Sequence, residues 1–546
     1  MRSLGYVRVV VIGVAAVAVS LVLAAPDRAR ACGGTFCQTP MQPVVQAGED
    51  IVYVKNADGT LTMSVRIVYQ GSADGFAWIL PLPAAPTEIG VGTDALFQGL
   101  AASTTPSFVA SGFENHGTCR QPPRCDYPMP SGGWVCTGCG YAEAGSVGSG
   151  GGFSDAASVF GSDAAAIPPV EVVARTPVGP YESVVLRGGS ATEIQSWLTD
   201  NGYFIPESAI PLMEDYAAAG QVFVALRLLT TSTVNSIRPI VLQLGENEPC
   251  LPIRLTSIAT VRGLPITTYF LADSPAVPTN YSLIDAPEDV RLYRGGTTWS
   301  AEYANAIAAA GGQAFVFDSA QAPPTLTLAL PSVDDLAVGE TTFAELTQQL
   351  SIRGYQGESG LVDLLARFLE GPADETTYVQ GCLAFFTCEE PTSFDREGFF
   401  AALETEVRAP RAEADAWLAE HPVLTRLYTS MSAENMTLDP EFRFDDGIDL
   451  LPSQRTATVH TLCSEAWIIG MAPQELELPS GARVSWFPGT SITDDAFCRS
   501  RGGTLHTEST SSGCTVLFGT SAPAARGLSI AAAIVLVLAH RRRRRA

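Results

Sequence analysis

The stretch DIVYVKNADGTLTMSVRIVY, residues 50–69, decides the fold class of the first half of this chain. Residues 51–54 are apolar, and the NADG at residues 56–59 is typical of a tight turn. After the turn, apolar side chains alternate with Thr62, Ser64 and Arg66. Because successive side chains of a strand point to opposite faces, this pattern predicts a β-hairpin with one buried face.

More strands are predicted on either side of a short helical pair. Residues 76–80 resemble a third strand, and further strands are predicted for residues 170–173, 183–186, 221–229, 237–244, 253–255 and 265–271. Ser190 and Glu193 have the spacing of a capping box, so a helix begins there and ends near Gly202. A second helix is predicted for residues 207–219.

Beyond Leu336 the sequence becomes helical. Apolar residues recur with 3.6-residue spacing in five segments: residues 341–350, 361–369, 393–407, 411–419 and 423–432. Such faces more often form a core or dock domains than bind ligands.

These patterns predict an α+β fold: a mainly antiparallel sheet with packed helices, a helical C-terminal part and disulfide-clipped loops. The length allows several domains. We divide the chain into a signal peptide (1–31), an N-terminal β region (32–103), a flexible Cys/Gly-rich insertion (104–165), an α+β region (166–334), a helical region (335–450), a Cys-containing segment (451–520) and a hydrophobic tail with an Arg cluster (521–546).

The N-terminus has the features of a secretory signal. A short basic region is followed by the apolar residues 9–25, and Ala29 and Ala31 provide the small residues that signal peptidase requires. We therefore predict export and cleavage before Cys32; an uncleaved anchor is the alternative. Lipidation of Cys32 is disfavoured because Arg30 stands where a lipobox requires a small residue.

The C-terminus has a short apolar segment, residues 527–539, followed by a basic cluster formed by Arg541, Arg542, Arg543, Arg544 and Arg545. The segment is shorter than the roughly 20 residues of a comfortable membrane span. The order of Cys514, a small-residue spacer, this segment and the arginines resembles the myxobacterial C-terminal sorting-signal family. That resemblance implies anchoring at Cys514 and loss of the tail; a permanent single-pass anchor is the alternative.

The charge balance restricts the partners. Lys55 is the only lysine, so chemistry that depends on a P-loop or Schiff-base lysine is nearly excluded. The two end segments hold ten arginines and one aspartate, which leaves 23 basic and 56 acidic residues in the rest of the chain, a net charge of −33. Such a surface repels nucleic acid. The predicted partners are instead the bacterial envelope or its sorting machinery, the membrane through the C-terminal tail, and an extracellular ligand of unknown nature.

All twelve cysteines follow the signal peptide, and an exported chain favours disulfides. The candidates are Cys32, Cys37, Cys119, Cys125, Cys136, Cys139, Cys382 and Cys388. Local pairs between Cys32 and Cys37 and between Cys382 and Cys388 are plausible, but sequence does not fix connectivity.

A metal site at residues 116–139 is a second interpretation of the same cysteines. Cys136 and Cys139 have Cys-x-x-Cys spacing, and His116 lies nearby. Two such pairs can hold zinc tetrahedrally, but Cys119 and Cys125 are separated by five residues. Export therefore favours disulfides over zinc here.

No catalytic motif is present. The five histidines form no His-Glu-x-x-His pair, and no Gly-x-Ser-x-Gly elbow occurs. We predict no catalytic residues, no metal ligands and no cofactor. The chain is interpreted as an exported, membrane-anchored protein of the cell surface or outer envelope with a non-enzymatic binding or structural role. A secreted hydrolase with a non-contiguous site is the first alternative, and a metal-binding module is the second.

Several short segments resemble the bacterial domain-of-unknown-function 2330 family. They include Ala31-Cys32-Gly33-Gly34 with Cys37, the VGPY at residues 178–181, Trp197-Leu198 before Gly202-Tyr203, the FVA at residues 223–225 and the IRPI at residues 237–240. The resemblance extends over roughly residues 30 to 450, and the family has no established activity. It therefore implies a family label without a mechanism.

Overall fold

The computed structural model describes residues 35–36, 45–70, 77–127, 170–188, 190–201, 207–228, 237–258, 260–339, 341–371, 374–385 and 388–506. The chain divides into two compact units. The larger unit comprises Met1–Thr118, Ser146–Cys463 and Ala472–Gly489, and the smaller comprises Cys119–Gly145, Ser464–Met471 and Thr490–Ala546.

The strands, of which β7 and β23 belong to the smaller unit, are in chain order β1 (Thr35–Phe36), β2 (Val45–Lys55), β3 (Leu61–Gln70), β4 (Ala77–Leu82), β5 (Glu88–Val91), β6 (Ser107–His116), β7 (Cys125–Asp126), β8 (Glu171–Val178), β9 (Tyr181–Arg187), β10 (Val222–Leu228), β11 (Ile240–Leu244), β12 (Leu264–Ala272), β13 (Ala276–Pro278), β14 (Ser282–Asp285), β15 (Ala314–Gln321), β16 (Leu369–Glu370), β17 (Ser393–Phe394), β18 (Val423–Met431), β19 (Phe442–Phe444), β20 (Gln454–Leu462), β21 (Gln474–Glu477), β22 (Arg483–Phe487) and β23 (Thr504–Leu505).

The α-helices are α1 (Asp94–Thr104), α2 (Ala191–Asp200), α3 (Ile210–Ala218), α4 (Val290–Tyr293), α5 (Trp299–Ala309), α6 (Asp334–Ala337), α7 (Phe343–Ile352), α8 (Leu361–Ala366), α9 (Glu375–Phe385), α10 (Arg396–Leu403), α11 (Ala409–Glu420) and, in the smaller unit, α12 (Asp494–Ser500). A π-helix, Glu404–Arg408, joins α10 to α11. The predicted α+β class, with mostly antiparallel sheets and a helical C-terminal part, is confirmed.

The predicted hairpin lies near the middle of an eight-stranded sheet of order β14-β15-β18-β12-β2-β3-β11-β5. Strands β2 and β3 pair antiparallel as expected, while β12 runs parallel to β2. The prediction of a single buried face was wrong for β2, since Ile51 and Tyr53 enter one core cluster and Val52 and Val54 enter another. Helices α1 and α11 contribute to the second cluster, so both faces of the strand are covered.

A second sheet of order β1-β4-β10-β9-β8 carries the predicted helical pair. Helices α2 and α3 bury Ile194 and Met213 against Phe223 of β10. The hydroxyl of Ser190 caps α2 by accepting a hydrogen bond from the Glu193 amide, which is one half of the predicted capping box.

Two of the predicted elements were wrong. Residues 423–432, assigned to a helix, contain strand β18, which pairs with β12 and β15 and is almost entirely buried. A strand covered on both faces loses polar alternation, so its apolar spacing can imitate a buried helix. Residues 253–255, assigned to a strand, form a turn before a 3₁₀ segment, Thr256–Ile258.

The larger unit also contains a four-stranded sheet of order β22-β21-β20-β6 and two two-stranded sheets, β13-β19 and β16-β17. Its strand β6 runs parallel to β20 and occupies part of the segment that we interpreted as a flexible insertion. Residues 128–165 of that insertion lie outside the described residues.

The smaller unit is built around α12 and the short β7–β23 pair. A disulfide joins Cys125 to Cys498 within it, and Phe497 and Ile468 pack in its core. In the larger unit, a second disulfide joins Cys382 to Cys388 at the end of α9. Cys119 and Cys463 are also disulfide-bonded.

The predicted targeting features lie outside the described residues. They comprise Ala29, Ala31 and Cys32 at the cleavage site, and Cys514 and the five arginines 541–545 of the tail. The disulfide candidates Cys37, Cys136 and Cys139 also lie outside the described residues. Within the described ranges, none of the helices has the length and apolarity needed to cross a membrane.

Candidate metal centre

Three potential metal ligands from distant parts of the sequence meet on the β6–β20 pair. The register places His460 of β20 opposite Glu114 of β6, and Leu462 opposite His116. Since residues two apart in a strand share a face, Glu114 and His116 project from the same side of β6. Among the described residues, these three form the one group of histidine, cysteine or acidic side chains whose ligand atoms are all within 4.8 Å.

A β-bulge sets this register. Ala457 pairs with Ala110, but Val459 pairs with Phe113, so β6 contains one extra residue between these pairs. Gly112 lies in the bulge with a φ of +76°, a conformation that suits glycine. Without the extra residue, the pairing from Ala457 onward would place Phe113, rather than Glu114, opposite His460. The bulge therefore brings a carboxylate to the two histidines.

The ligand atoms are close enough to share one ion. Nε2 of His116 lies 2.8 Å from Nδ1 of His460 and shares a hydrogen bond with it. The Glu114 carboxylate lies 3.4 Å from Nδ1 of His460 and 3.8 Å from Nε2 of His116. Small adjustments of exposed side chains would give each atom a ligand distance of about 2 Å to a common ion.

The site has a buried side and an open side. The His460 side chain is 4% exposed, whereas those of His116 and Glu114 are 47% and 61% exposed. Two ligands therefore face solvent, and an ion bound here would keep room for water or another ligand. A set of two imidazoles and one carboxylate with open positions is typical of zinc and similar transition metals, whereas Ca²⁺ and Mg²⁺ prefer oxygen ligands.

A second layer of charge lies behind His460. Its Nε2 is 2.9 Å from the Glu477 carboxylate on β21. The same carboxylate oxygen accepts a hydrogen bond from Nε of Arg483 at 2.8 Å, and Nη2 of Arg483 lies 2.7 Å away. The hydrogen bond and the positive charge of Arg483 lower the pKa of Glu477 below its usual value. Glu477 therefore presents a negative charge to the back of the imidazole.

The sequence singled out His116 as a possible metal ligand, but it grouped this histidine with nearby cysteines rather than with His460. Cys119 is disulfide-bonded and Cys125 is joined to Cys498, which removes both as thiolate ligands. Cys136 and Cys139 lie outside the described residues. The missed partner, His460, is 344 residues from His116. The local signals were only a Glu-x-His at residues 114–116 and an isolated histidine in a strand.

The other described histidines contact backbone carbonyls or a carboxylate. The ring nitrogens of His421 contact the backbone carbonyls of Trp417 and Lys55, and His506 pairs with Asp126. Across the described ranges, the hydrogen bonds of the histidine side chains do not lead to a serine or cysteine side chain.

A separate cleft of about 330 Å³ in the larger unit contains Cys250, a free thiol. Burial, reinforced by the nearby carboxylates of Asp439 and Glu441, raises the pKa of Cys250 to about 12. Because the thiolate is the reactive form, this cysteine is poorly suited to be a nucleophile at neutral pH. The histidine cluster is therefore the better candidate for chemistry.

Comparison with known proteins gives one finding. The family model described as "Uncharacterized protein conserved in bacteria (DUF2330)" matches residues 26–330, more than half of the chain. It ends well before residue 450, to which the resemblance in the sequence extended. No curated protein and no solved structure matches the chain.

Proposed function

We propose a function for this chain, which belongs to the DUF2330 family of bacterial proteins, from the geometry of its histidine cluster. The protein binds a divalent transition metal, with Zn²⁺ as the first candidate, through Glu114, His116 and His460. The observation that carries this proposal is the 2.8 Å approach of two imidazole nitrogens beside a carboxylate. His116 belongs to the matched family region, whereas His460 lies beyond it.

The role that this geometry supports is metal binding. The carboxylate and two imidazoles account for holding an ion. The acidic surface supports this role, because a net charge of −24 attracts cations toward the protein.

Zinc titration of the full-length protein tests the proposal. After chelator treatment, competition with a chromophoric chelator measures the number and affinity of bound Zn²⁺ ions. His116→Ala is expected to remove one ion or weaken its binding at least 100-fold, because two ligands remain. Since His116 is exposed, this variant should fold normally.

His506→Ala is the matched control, since it removes an exposed histidine from the smaller unit. It should leave both stoichiometry and affinity unchanged. His460→Ala should reproduce the His116→Ala loss. Equal Zn²⁺ binding by the wild type, His116→Ala and His460→Ala would refute the proposal.

We also propose that the protein is exported and held at the cell surface, at least transiently, by its C-terminal tail, with the envelope sorting machinery as partner. The support is the signal-peptide pattern ending at Ala31 and the Cys514 tail pattern. Intact-mass measurement of protein recovered from native cells tests this. We expect an N-terminus at Cys32 and loss of Arg541 to Arg545; a mass equal to the unprocessed chain would contradict both.

A further inference from the structure

The buried imidazole of the proposed metal centre has one ring nitrogen without an aligned partner. His460 Nε2 is enclosed, and although the Glu477 carboxylate is 2.9 Å away, the contact lacks hydrogen-bond alignment. No other described group provides an acceptor for this atom. A buried N–H group without a hydrogen-bond acceptor destabilises the folded state, and the Glu477 carboxylate is the group near enough to accept from this nitrogen.

The position of the proton on this ring decides whether His460 can bind a metal. A neutral imidazole carries its proton on one nitrogen and offers a lone pair at the other. Nδ1 faces His116 and Glu114, so metal binding requires the proton to lie on Nε2, toward Glu477. His460 has little access to water through which to change tautomer.

His116 is in the opposite situation. In the metal-free pair, the Nε2–H of His116 donates a hydrogen bond to Nδ1 of His460 when Nδ1 carries a lone pair rather than a proton. To bind a metal through Nε2, His116 must carry its proton on Nδ1 instead. Its side chain is exposed, so water can deliver a proton to Nδ1 and remove one from Nε2 with no net change. The exposed ring of His116 can therefore change tautomer when a metal binds, whereas the buried ring of His460 must already carry its proton on Nε2.

We propose that Glu477 is a positioning residue for His460: its carboxylate accepts a hydrogen bond from the Nε2–H, which keeps the proton on Nε2 and leaves the lone pair of Nδ1 directed toward the metal. This inference rests on the proposed metal-binding function. Arg483 fixes the carboxylate from the outer side through its Nε and Nη2. Carboxylate partners behind metal-bound histidines commonly orient the ring and increase its basicity.

The chain supplies a matched control on the same strand. Glu475 lies directly opposite His460 in the β20–β21 pairing, and Glu477 lies two residues further on. No hydrogen bond or ion pair joins the Glu475 side chain to His460 within the described residues. Changing either residue to glutamine removes the same charge from the same strand, and the two positions differ in the contacts that Glu477 makes with His460 Nε2 and with Arg483.

The experiment measures Zn²⁺ affinity and histidine tautomers in the full-length protein. Glu477→Gln and Glu477→Ala are expected to bind Zn²⁺ about 10- to 100-fold more weakly than wild type, and Glu475→Gln should bind with unchanged affinity. In metal-free protein with ¹⁵N-labelled histidine, long-range ¹H–¹⁵N spectra should show His460 protonated at Nε2. In Glu477→Ala the Nδ1-protonated form should become populated.

The outcomes separate this inference from the function on which it rests. If wild type binds Zn²⁺ and His116→Ala does not, but both Glu477 variants bind like wild type, the positioning role is refuted while the metal site stands. A wild-type His460 protonated at Nδ1 would also refute it. If the Glu475 and Glu477 variants lose affinity equally, the effect is general electrostatics and the inference fails. Absence of Zn²⁺ binding in wild type would overturn the proposed function itself.

Discussion

Replacing Arg426 with methionine is expected to lower the free energy of unfolding of the larger unit by about 3–5 kcal/mol. Arg426 of β18 forms an ion pair with Asp318 of β15, and the two side chains are 3% and 0% exposed. Methionine approximates the length of the arginine stem but leaves the Asp318 charge buried without its counter-charge. Urea unfolding followed by tryptophan fluorescence measures the loss.

The environment of the pair supports a large effect. Tyr303 donates a hydrogen bond to Asp318 Oδ1 at 2.8 Å, and the Arg426 guanidinium lies 5.2 Å from the Trp299 ring centroid. The variant therefore removes a counter-charge and an aromatic contact together.

Two controls make the Arg426→Met result specific. Arg187→Met breaks an exposed ion pair with Glu171, and a change of less than about 1 kcal/mol is expected. The double variant Asp318→Asn/Arg426→Met should recover part of the loss, because the amide carries no charge. A double variant as unstable as Arg426→Met, or a single-variant loss below 1 kcal/mol, would show that charge burial is not the cause.

The sequence predicted those elements of the fold that are specified by residues close together in the chain. The hairpin at residues 50–69 and the helix beginning after Ser190 were predictable, because turn and capping residues act within a few positions. Strand β18 was mistaken for a helix, since its apolar residues recur at helical spacing and its burial arises from β12 and β15. Those neighbours are more than 100 residues away in the chain.

The metal centre could not be predicted for a related reason. Its ligands depend on the parallel pairing of β6 with β20 and on the bulge at Gly112, and both are long-range features. The sequence singled out His116 through nearby cysteines, which is a local cue. The roles of His460 and Glu477 are apparent only once β6, β20 and β21 lie next to one another.

A buried acid makes the stability of the larger unit depend on pH. Glu49 on β2 is 5% exposed, and burial raises its pKa from 4.5 to about 7. The neighbouring Asp50 raises it further, while the hydrogen bond from Gln46 Nε2, 2.9 Å long, opposes the shift. The folded protein therefore retains a proton between about pH 4.5 and pH 7 that the unfolded chain releases.

The direction of the effect follows from linkage. Where the folded state binds more protons than the unfolded state, the free energy of unfolding falls as pH rises. Glu49 should therefore cost about 3 kcal/mol of stability between pH 4.5 and pH 7, and no more at higher pH. Below pH 4.5 both states are protonated at this position and the contribution becomes constant.

Glu49→Gln is expected to be more stable than wild type by about 3 kcal/mol at pH 8 and nearly equal to it at pH 4. Glutamine keeps an oxygen to accept the Gln46 hydrogen bond, while it cannot ionise. Urea unfolding at both pH values measures the difference, and Glu246→Gln, at an exposed position, should show no such dependence. A wild-type minus Glu49→Gln difference that is independent of pH would mean that Glu49 does not titrate in this window. Because the acid lies beside the bulge at Gln46 and Gly48, such a result would indicate that water reaches the carboxylate through that irregularity.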